Sequence, residues 1–478
     1  MAIDWKKQTE LLKGEYVEQL TKFLSINSIE DMTSASEGKP FGIGVAEALS
    51  CMLDKAENDG FKVKNLEGYA GYIEMGEGND EVGVLVHVDV VPAGDGWTTP
   101  PFSPDVRNGR IYARGAIDDK GPALAAYYAL KLVRDSGLQL SKRVRLIVGT
   151  DEESGWLCMK RYAELEKLPE IGFAPDAEFP IVHAEKGQIS PTLVLPDHLN
   201  ANETRKSKEW ILHHFAAGDG INMVPDYATA TLERPIAADN SAVESMLNDF
   251  SHFLSVHNLK GQATSENNSV TLHLEGKAAH AKEPYEGINA GLLLARFLRK
   301  FPIVGKGSAF MQLLADVLDE DFYGERLGLA CEDEATGKLT VNAGALQYNE
   351  VTGAEVKLNI RNPATVPYDD QVAKLEKYVK SLGWEMSSVR GKGGHFVPKE
   401  HEVIRKLQRV YEEQTGQKAE LLSSGGATYA RVMKNGVAFG AVFPGKEMTA
   451  HHKDEYAEID DLVRGMALYA QAIYELAK

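Results

Sequence analysis

The sequence predicts an α/β protein with a mostly parallel sheet sandwiched by helices, interrupted by an inserted α+β domain. Apolar, β-branched runs alternate with helical-period segments in the first part of the chain, strictly alternating strands follow, and long amphipathic helices return at the end. We therefore expect a discontinuous α/β domain formed by residues 1–186 and 393–478, and an inserted domain at 187–392. The length of 478 residues also favours more than one core.

The elements of the first part support a parallel sheet. "EVGVLVHVDV", residues 81–90, is almost continuously apolar, as a strand covered on both faces requires. "GPALAAYYALKLVRDSG" follows at helical period and stops at Gly137. "KRVRLIVGTDEE" is then predicted as a strand and "WLCMKRYAELEKL" as a helix. This β–α–β–α order is typical of parallel strands joined by crossover helices.

The later elements indicate a change of architecture. "SVTLHLEG" and "GAEVKLNIRN" alternate apolar and polar residues, which predicts antiparallel strands with one face toward water. "EHEVIRKLQRVYEEQTG" and "DDLVRGMALYAQAIYELAK" have the period of amphipathic helices. These two helices would return the chain to the α/β domain.

The composition excludes several classes of protein. A net charge of −18 and a pI of 5.3 argue against nucleic acid and anionic membranes as partners. Cys51, Cys158 and Cys331 form no CxxC pair, so no zinc finger or disulfide framework is indicated. The N-terminal residues carry charges throughout and lack the apolar region of a secretory signal, and no long apolar run could span a membrane. We expect a cytoplasmic protein in a reducing compartment.

Residues with ligand chemistry follow or lie beside the predicted strands of the α/β domain. In open α/β sheets, binding sites gather outside the carboxyl ends of the strands. The motifs are "VLVHVDVV", "ARGAIDDKG", "GTDEESG", "FAPDAEFP" and "TAHHKDEY". Their candidate residues are His87, Asp89, Asp118, Asp119, Glu152, Glu153, Asp176 and His451.

Each motif alone has an ordinary explanation. The His-x-Asp pair could be a satisfied polar pair, "DDKG" a helix N-cap, "DEESG" a solvated turn and "PDAEFP" a loop. Their combination instead predicts two divalent ions bridged by one carboxylate, roughly 3.5–4 Å apart. Imidazole and carboxylate without thiolate suit Zn²⁺, Mn²⁺ or Co²⁺. The ions would also offset the repulsion among the carboxylates.

These motifs together resemble the M20 family of dinuclear metallopeptidases. "HVDVVPAGDGWTTPPFSP", "YARGAIDDKGP", "GTDEESG", "PDAEFP", "GKAAHAKEPYEGINA" and "AHHKDEY" occur in the family's order along nearly the whole chain. The resemblance implies a zinc-peptidase-like catalytic domain with two divalent ions per chain, Zn²⁺ being expected and Mn²⁺ or Co²⁺ the alternatives. The chain length, the "GWTTPPFSP" loop and the large insert point to the monomeric Xaa-dipeptidases of the family, in which the insert is a lid.

The resemblance assigns the metal ligands. His87 and Asp176 would bind one ion, and Glu153 and His451 the other. Asp118 would bridge the two ions, while its neighbour Asp119 occupies a position that need not be acidic. His452 is a rival of His451, although the spacing to "DEY" favours His451.

The resemblance also assigns residues that would act beside the ions. Glu152 would be the general base, and Asp89 would orient the His87 imidazole. If residues 151–153 are extended, neighbouring side chains point apart, so that Glu153 faces an ion and Glu152 the water. For Asp151 we expect no more than a turn or a cap.

In the inserted domain, the resemblance assigns residues that would contact the substrate. His280 would stabilise the oxyanion, and Asn222 and Arg361 would bind substrate. Gly425 and Gly426, which lie in the returning α/β domain, would meet the substrate carboxylate through their backbone. Taken alone, His280 and Arg361 would be interpreted as a surface-turn histidine and a strand-end surface arginine.

The favoured function is therefore a metal-dependent dipeptidase acting on a broad range of unblocked dipeptides, and the sequence leaves open whether β-Ala dipeptides are among its substrates. Its partners would be small peptides, without nucleic acid or membrane, and the chain would be a monomer. One alternative is a deacylase of the same family acting on N-acyl amino acids, of the acetylornithine or succinyl-diaminopimelate type. The other alternative is a metal-free binding or scaffold protein, which the intact ligand set disfavours.

Overall fold

The computed structural model describes residues 3–196, 209–235 and 240–478. Most of this chain is helix or strand. The α-helices are α1 (Trp5–Leu24), α2 (Ile43–Asn58), α3 (Lys120–Asp135), α4 (Leu157–Leu165), α5 (Asn240–Val256), α6 (Ala290–Leu298), α7 (Lys306–Gln312), α8 (Tyr368–Ser381), α9 (Glu402–Thr415) and α10 (Ile459–Ala477).

The strands fall into two large sheets and several small ones. They are β1 (Lys62–Leu66), β2 (Ala70–Met75), β3 (Glu81–His87), β4 (Asp105–Arg107), β5 (Arg110–Tyr112), β6 (Arg143–Gly149), β7 (Ile171–Ala174), β8 (Ala177–Glu178), β9 (Ile181–Glu185), β10 (Gly187–Val194), β11 (Ile211–Ala217), β12 (Tyr227–Glu233), β13 (Lys260–Glu266), β14 (Ser269–Glu275), β15 (Glu332–Asp333), β16 (Gly337–Lys338), β17 (Thr340–Asn349), β18 (Gly353–Asn362), β19 (Glu385–Lys392), β20 (His395–Phe396), β21 (Leu421–Ser424), β22 (Asn435–Ala438), β23 (Ala441–Val442) and β24 (Tyr456–Glu458).

The chain divides into two compact units. Unit 1 contains residues 1–184 and 396–478, and unit 2 contains residues 185–395. The boundaries predicted from the sequence, 187 and 392, lie two and three residues away from these. Each unit has its own sheet and its own apolar core.

The sheet of unit 1 is parallel at its centre. Its strand order is β1-β2-β6-β3-β7-β22-β9-β20. The central strands β6, β3, β7 and β22 pair in parallel, whereas β1, β2 and β9 pair antiparallel at the flanks. The predicted α/β class is confirmed, and the apolar runs of β3 and β6 lie among the parallel strands at the centre of this sheet.

Helices cover both faces of this sheet. Along β3, Val84 and Val86 pack into a core shared with α1, α3 and α10, while Leu85 points into a second core that includes residues of α4. Burial on both faces explains why β3 is apolar at nearly every position. The predicted helices over α3, α4, α9 and α10 are confirmed.

The sheet of unit 2 is antiparallel. Its order is β13-β14-β12-β11-β17-β18-β10-β19, and each of its pairs is antiparallel. Val356, Leu358 and Ile360 of β18 are buried, as their alternation predicts. Among the described residues, no helix of either unit is both long and apolar enough to cross a membrane.

Candidate metal centre

Three parallel strands of unit 1 bring the predicted residues to one edge of the sheet. His87 is the last residue of β3 and pairs in register with Gly149, the last residue of β6. Glu152 and Glu153 follow β6, and Asp176 follows β7. Because neighbouring parallel strands end at the same edge, these side chains meet outside the carboxyl ends of the strands.

The Asp118 carboxylate lies between two histidines that are far apart in sequence. Its Oδ1 is 3.0 Å from Nε2 of His87, and its Oδ2 is 3.0 Å from Nε2 of His451. Each oxygen of one carboxylate therefore faces a different imidazole. This is the arrangement that a bridging carboxylate requires.

The other acids divide between the two histidines. Asp176 Oδ2 lies 3.8 Å from Nε2 of His87, and Glu153 Oε1 lies 3.1 Å from Nε2 of His451. Ligand atoms of His87, Asp118 and Glu153 lie within 4.8 Å of one another, and so do those of His87, Glu152 and Asp176. Glu152 is therefore near enough to be a ligand itself, and geometry alone leaves its role as a base a prediction.

The donor set fits divalent ions. Nε2 of His87 is buried and makes no hydrogen bond within the described part of the chain, although Asp118 Oδ1 is close. Oε1 of Glu152 is likewise buried without a hydrogen-bond partner in the described residues. Imidazole nitrogens and carboxylate oxygens that converge without pairing can be satisfied by cations, and such donors suit Zn²⁺, Mn²⁺ or Co²⁺.

The crowded charges shift the pKa values of these groups. Burial raises the pKa of Glu153 to about 7 and that of Asp176 to about 6, and the nearby Asp118 charge adds to both shifts. Burial also raises the pKa of Glu152 well above its ordinary value. Bound cations would reverse these shifts, because they stabilise the ionised carboxylates.

The two histidines respond in the opposite sense to the acids around them. Burial alone would lower the pKa of His87, but its contacts with Asp118, Asp176 and Asp89 raise it well above the ordinary value. Contacts with Asp118 and Glu153 raise the pKa of His451 to about 11. Without metal ions, the imidazolium forms would therefore supply the positive charge that the carboxylates need.

Asp89 contacts His87 mainly through its backbone. Its carbonyl oxygen lies 3.0 Å from Nδ1 of His87, whereas its carboxylate Oδ1 is 3.5 Å away. The carboxylate Oδ2 accepts a hydrogen bond of 3.0 Å from the backbone N–H of Glu153. Asp89 thus contacts the residues on both sides of the site, and the orienting role stays a prediction.

The segment after β6 is a turn, so the expectation of an extended chain at residues 151–153 is wrong. The turn is held by Asp151, whose carboxylate accepts from the N–H groups of Gly155 at 2.8 Å and Leu157 at 2.6 Å. The predicted turn or cap role of Asp151 is confirmed. The Trp156 indole donates to the Glu152 carbonyl at 2.7 Å, which fixes the backbone of that residue.

Asp119 lies at the N-cap position of α3 without capping it. Its side chain makes no cap hydrogen bond. Instead, Oδ2 accepts from the backbone N–H of His87 at 3.1 Å. The interpretation of "DDKG" as a simple helix cap is therefore wrong for this residue, which is buried beside the candidate site.

Sequence reasoning missed a buried ion pair next to the site, between Arg114 and Glu455. The guanidinium Nη1 lies 2.7 Å from Glu455 Oε2. The other oxygen, Oε1, accepts from the backbone N–H groups of Ile117 at 3.0 Å and Asp118 at 3.2 Å. Both residues stand in motifs that the sequence analysis used, Arg114 in "ARGAIDD" and Glu455 in "KDEY". Those motifs were used only to locate the metal ligands, so the pairing of the two residues was not predicted.

Two of the predicted residues of unit 2, Asn222 and His280, lie near one another, and the third, Arg361, is buried in the sheet. Asn222 and His280 lie on adjoining loops, joined by the Ala281 N–H to the Asn222 carbonyl at 2.8 Å. His280 and Asn222 are exposed. Arg361 of β18 is only 7% exposed and donates from Nε to Asn359 Oδ1 at 2.9 Å, so the surface-arginine alternative is wrong.

The two glycines lie in unit 1, directly after β21. Gly425 and Gly426 form a bend, and both are partly exposed. The Gly426 N–H donates to Ser424 Oγ at 2.9 Å, within the same bend. Contact with a substrate carboxylate stays a prediction for both.

Comparison with known proteins gives a match along most of the chain. Residues 83–475 match the family described as Peptidase family M20/M25/M40. YtjP of Bacillus subtilis (strain 168), named as a candidate dipeptidase, is 48% identical over 476 residues, which cover 100% of both chains.

Two solved structures share the fold. The aminopeptidase PepT from Bacillus cereus is 16% identical, with a TM-score of 0.57 over 98% of this chain and 99% of that one. Human carnosine dipeptidase 1 is 14% identical, with a TM-score of 0.55 over 99% of this chain and 98% of that one. At such identities the likeness concerns the fold alone. The family match over residues 83–475 and the full-length relative at 48% identity show that the chain is a peptidase of the M20/M25/M40 family.

Proposed function

We propose that the chain is a dinuclear metal-dependent dipeptidase that hydrolyses the peptide bond of unblocked dipeptides. The observation that carries this proposal is the Asp118 carboxylate, whose two oxygens each lie 3.0 Å from a different histidine Nε2. The dipeptidase name of a relative that matches the whole chain supports the substrate class.

We propose two ions per chain, Zn²⁺ first and Mn²⁺ or Co²⁺ as alternatives. Asp118 would bridge them, His87 and Asp176 would complete one site, and Glu153 and His451 the other. The observed division of the acids between the two histidines supports this assignment. When bound, the ions would supply an acidified water and Lewis acidity toward the scissile carbonyl.

Glu152 is the proposed general base. It would take a proton from the attacking water and return it to the leaving amine. Support comes from its buried Oε1, which makes no hydrogen bond within the described residues and so has a free lone pair. Its carbonyl is fixed by the Trp156 indole, which limits where the side chain can reach.

Residues of unit 2 are proposed to bind the substrate, on the strength of the family resemblance. His280 would stabilise the developing oxyanion, and Asn222 would contact the substrate beside it. Arg361 would bind the free C-terminal carboxylate, since a guanidinium can hold a carboxylate with two hydrogen bonds. The N–H groups at Gly425 and Gly426 would contribute to the same carboxylate, and unit 2 would act as a lid that limits substrate length.

The rival within the family is a deacylase that acts on N-acyl amino acids. The hydrolytic step would be the same, and only the group on the amine side would differ. We expect the purified protein, reconstituted in turn with Zn²⁺, Mn²⁺ and Co²⁺, to hydrolyse Ala-Leu and related dipeptides, and also carnosine. Turnover of acetylornithine without turnover of any dipeptide would replace the proposal by the deacylase.

Arg361→Ala tests recognition of the carboxylate. We expect kcat/KM for free dipeptides to fall by an amount equivalent to about 1.5–3 kcal/mol, the range for hydrogen bonds to charged groups. Carboxyl-amidated dipeptides should be affected much less. Arg390→Ala, an exposed arginine of β19 in the same unit, is the matched control. An equal loss on free and amidated substrates would remove the proposed role.

Two further properties belong to the proposal. We propose a monomer, on the strength of the family resemblance, and a cytoplasmic location, because Cys51, Cys158 and Cys331 are free thiols that suit a reducing compartment. Light scattering of the purified protein and fractionation of the producing cells would test these two statements.

A further inference from the structure

Arg114 gathers three separate segments of unit 1. Its Nη1 donates to the His452 carbonyl at 3.3 Å, and its Nη2 lies 3.4 Å from the carbonyls of Pro92 and Ala93. The guanidinium also lies 5.1 Å from the centre of the Trp97 ring. With a side chain 1% exposed, Arg114 is a buried charge held by backbone carbonyls, an aromatic ring and one acid.

That acid, Glu455, connects the C-terminal loop with the loop before α3. Its carboxylate is fully buried, contacts Arg114 through one oxygen, and accepts through the other from the backbone of Ile117 and Asp118. Asp454, its neighbour, adds a second tie, because its carboxylate accepts from Thr98 N at 2.7 Å and Thr98 Oγ1 at 2.9 Å. The loop that carries His451 is therefore held by two contacts, one from Glu455 to the loop before α3 and one from Asp454 to Thr98.

This arrangement matters because His451 has little support of its own. It lies in a loop, with φ of 66° and a side chain that is 52% exposed. Asp118 is equally remote from a strand end, since it stands in the loop that precedes α3. The pairing of β24 with β5 brings the two loops together, but it begins five residues after His451 and ends six residues before Asp118. Asp118 Oδ2 nevertheless lies 3.0 Å from His451 Nε2.

We propose that Arg114 and Glu455 are positioning residues for the dinuclear centre, which hold the bridging Asp118 and His451 at the spacing that two ions require. This inference rests on the proposed function, because the Arg114–Glu455 pair can position metal ligands only if the centre binds ions. Neither residue touches the substrate or the reacting atoms. Burial of an ion pair is by itself weak support for stability, because the desolvation of both charges opposes their attraction. A positioning role accounts for the presence of this pair beside the ligands.

The test separates metal affinity from stability. Glu455→Gln keeps the shape of the side chain and one carbonyl oxygen for the Asp118 N–H, but it places an amide against the guanidinium. Replacing partners that orient metal ligands typically weakens metal affinity by about 10–100-fold. We expect that loss for Zn²⁺ in a chelator competition, and a larger loss for the ion bound by Glu153 and His451 than for the other.

Glu74→Gln is the matched control. Glu74 pairs with Arg145 at 2.8 Å, with side chains 10% and 8% exposed, and Arg145 lies near the opposite end of β6 from Gly149. This substitution should lower the Tm without changing Zn²⁺ affinity. Glu455→Gln with native affinity for both ions, and a Tm loss like that of the control, would overturn the positioning role.

Two additional measurements keep the inference independent of folding and of substrate. If Glu455→Gln does not fold, Arg114→Lys retains the charge but loses the planar fork that reaches several carbonyls, and the same loss of Zn²⁺ affinity is expected. Native affinity in that variant would count against the pair. If the unmodified protein binds two ions but hydrolyses no dipeptide, the proposed substrate class fails while the positioning role stands.

Discussion

The two histidines of the candidate centre are held in different ways. His87 ends a buried strand, its side chain is 1% exposed, and its Nδ1 contacts the Asp89 carbonyl at 3.0 Å. His451 lies in a loop near the C-terminus, and its side chain is 52% exposed. Both nevertheless approach oxygens of the same carboxylate, Asp118, at 3.0 Å.

The difference shows that one half of the centre is built by the sheet and the other by loops. We call His87 and Asp176 the strand half, since each lies at or just after the end of a parallel strand. We call Glu153 and His451 the loop half, since a turn and the C-terminal loop supply them. The strand half should be set by the packing of the core, and the loop half by specific buried polar contacts.

The largest expected effect comes from removing either histidine. His87→Ala and His451→Ala should both reduce dipeptide turnover to the level of the metal-free protein. Their effects on stability should differ. His87→Ala leaves buried acids without a partner and should cost about 3–5 kcal/mol of unfolding free energy. His451→Ala should cost about 1 kcal/mol or less, because that contact is half-exposed.

Turnover, bound metal and denaturant unfolding of the chelator-treated proteins would measure these effects. A control is His452→Ala, which should change none of them, since that residue contributes its carbonyl rather than its imidazole to the contacts around the site. Equal stability losses in His87→Ala and His451→Ala would contradict the division into two halves.

The next effect concerns the two neighbouring glutamates. Glu152→Ala should lower kcat by about 10²–10⁴-fold, the usual contribution of a general base, while about two ions per chain remain bound. Glu153→Ala should instead lose an ion from the loop half. Elemental analysis after gel filtration, with kcat measured in parallel, checks both outcomes.

Loss of an ion in Glu152→Ala would change the assignment of ligands to the strand half. Glu152 would then join His87 and Asp176 as a ligand, which their mutual distances of under 4.8 Å allow. The proposed base would have to be sought elsewhere.

A smaller effect is expected from pH. Glu153 and Asp176 have pKa values raised to about 7 and about 6 in the folded, metal-free protein. Groups with a raised folded pKa bind more protons when folded, so their contribution to stability is present at low pH and is lost as the pH rises from about 4 to 7. Ions bind the deprotonated ligands and remove this loss. The gain in Tm on adding Zn²⁺ should therefore be larger at pH 8 than at pH 5.

Thermal unfolding with and without Zn²⁺ at both pH values tests this prediction. The double variant Glu153→Gln with Asp176→Asn, which removes one proposed ligand from each ion, should show a small gain at both pH values. An unchanged or smaller gain in Tm at pH 8 would show that Zn²⁺ does not displace protons from the acids of the two halves.

The smallest effect on metal binding is expected at Asp151, which supports the turn between the halves. Asp151→Ala removes acceptors for the N–H groups of Gly155 and Leu157, at a cost of about 1.5–3 kcal/mol in unfolding free energy. Zn²⁺ affinity should change less than in Glu455→Gln. Ser154→Ala, at the same turn, is the milder control. If Asp151→Ala lost more Zn²⁺ affinity than Glu455→Gln, this turn rather than the Arg114–Glu455 pair would be the main support of the metal ligands.

The sequence predicted the strand half well because its signals are local. The apolar runs in "EVGVLVHVDV" and "KRVRLIVGTDEE" located β3 and β6, although these strands end earlier than predicted, at His87 and Gly149. Once the strands are known to be parallel neighbours, their ends must coincide in space. Residue types alone also predicted imidazole and carboxylate donors for divalent ions.

The contacts of the loop half could not be obtained in this way. That Glu455 is buried against Arg114, or that Asp119 accepts from the His87 backbone instead of capping α3, depends on the path of loops distant in sequence. The sequence offered the turn at residues 152–155 only as the ordinary explanation of "DEESG", because alternation along a strand cannot show where the strand stops.

The sequence by itself thus determined the α/β class, the antiparallel character of the inserted segment and the donor chemistry of the site. These follow from hydrophobic period and from residue type, which are properties of short stretches. Only the tertiary structure decided that Asp118 stands between His87 and His451, and that Arg114 and Glu455 tie their loops together. Contacts between residues 298 and 341 positions apart are set by the packing of the whole unit, and no local pattern encodes them.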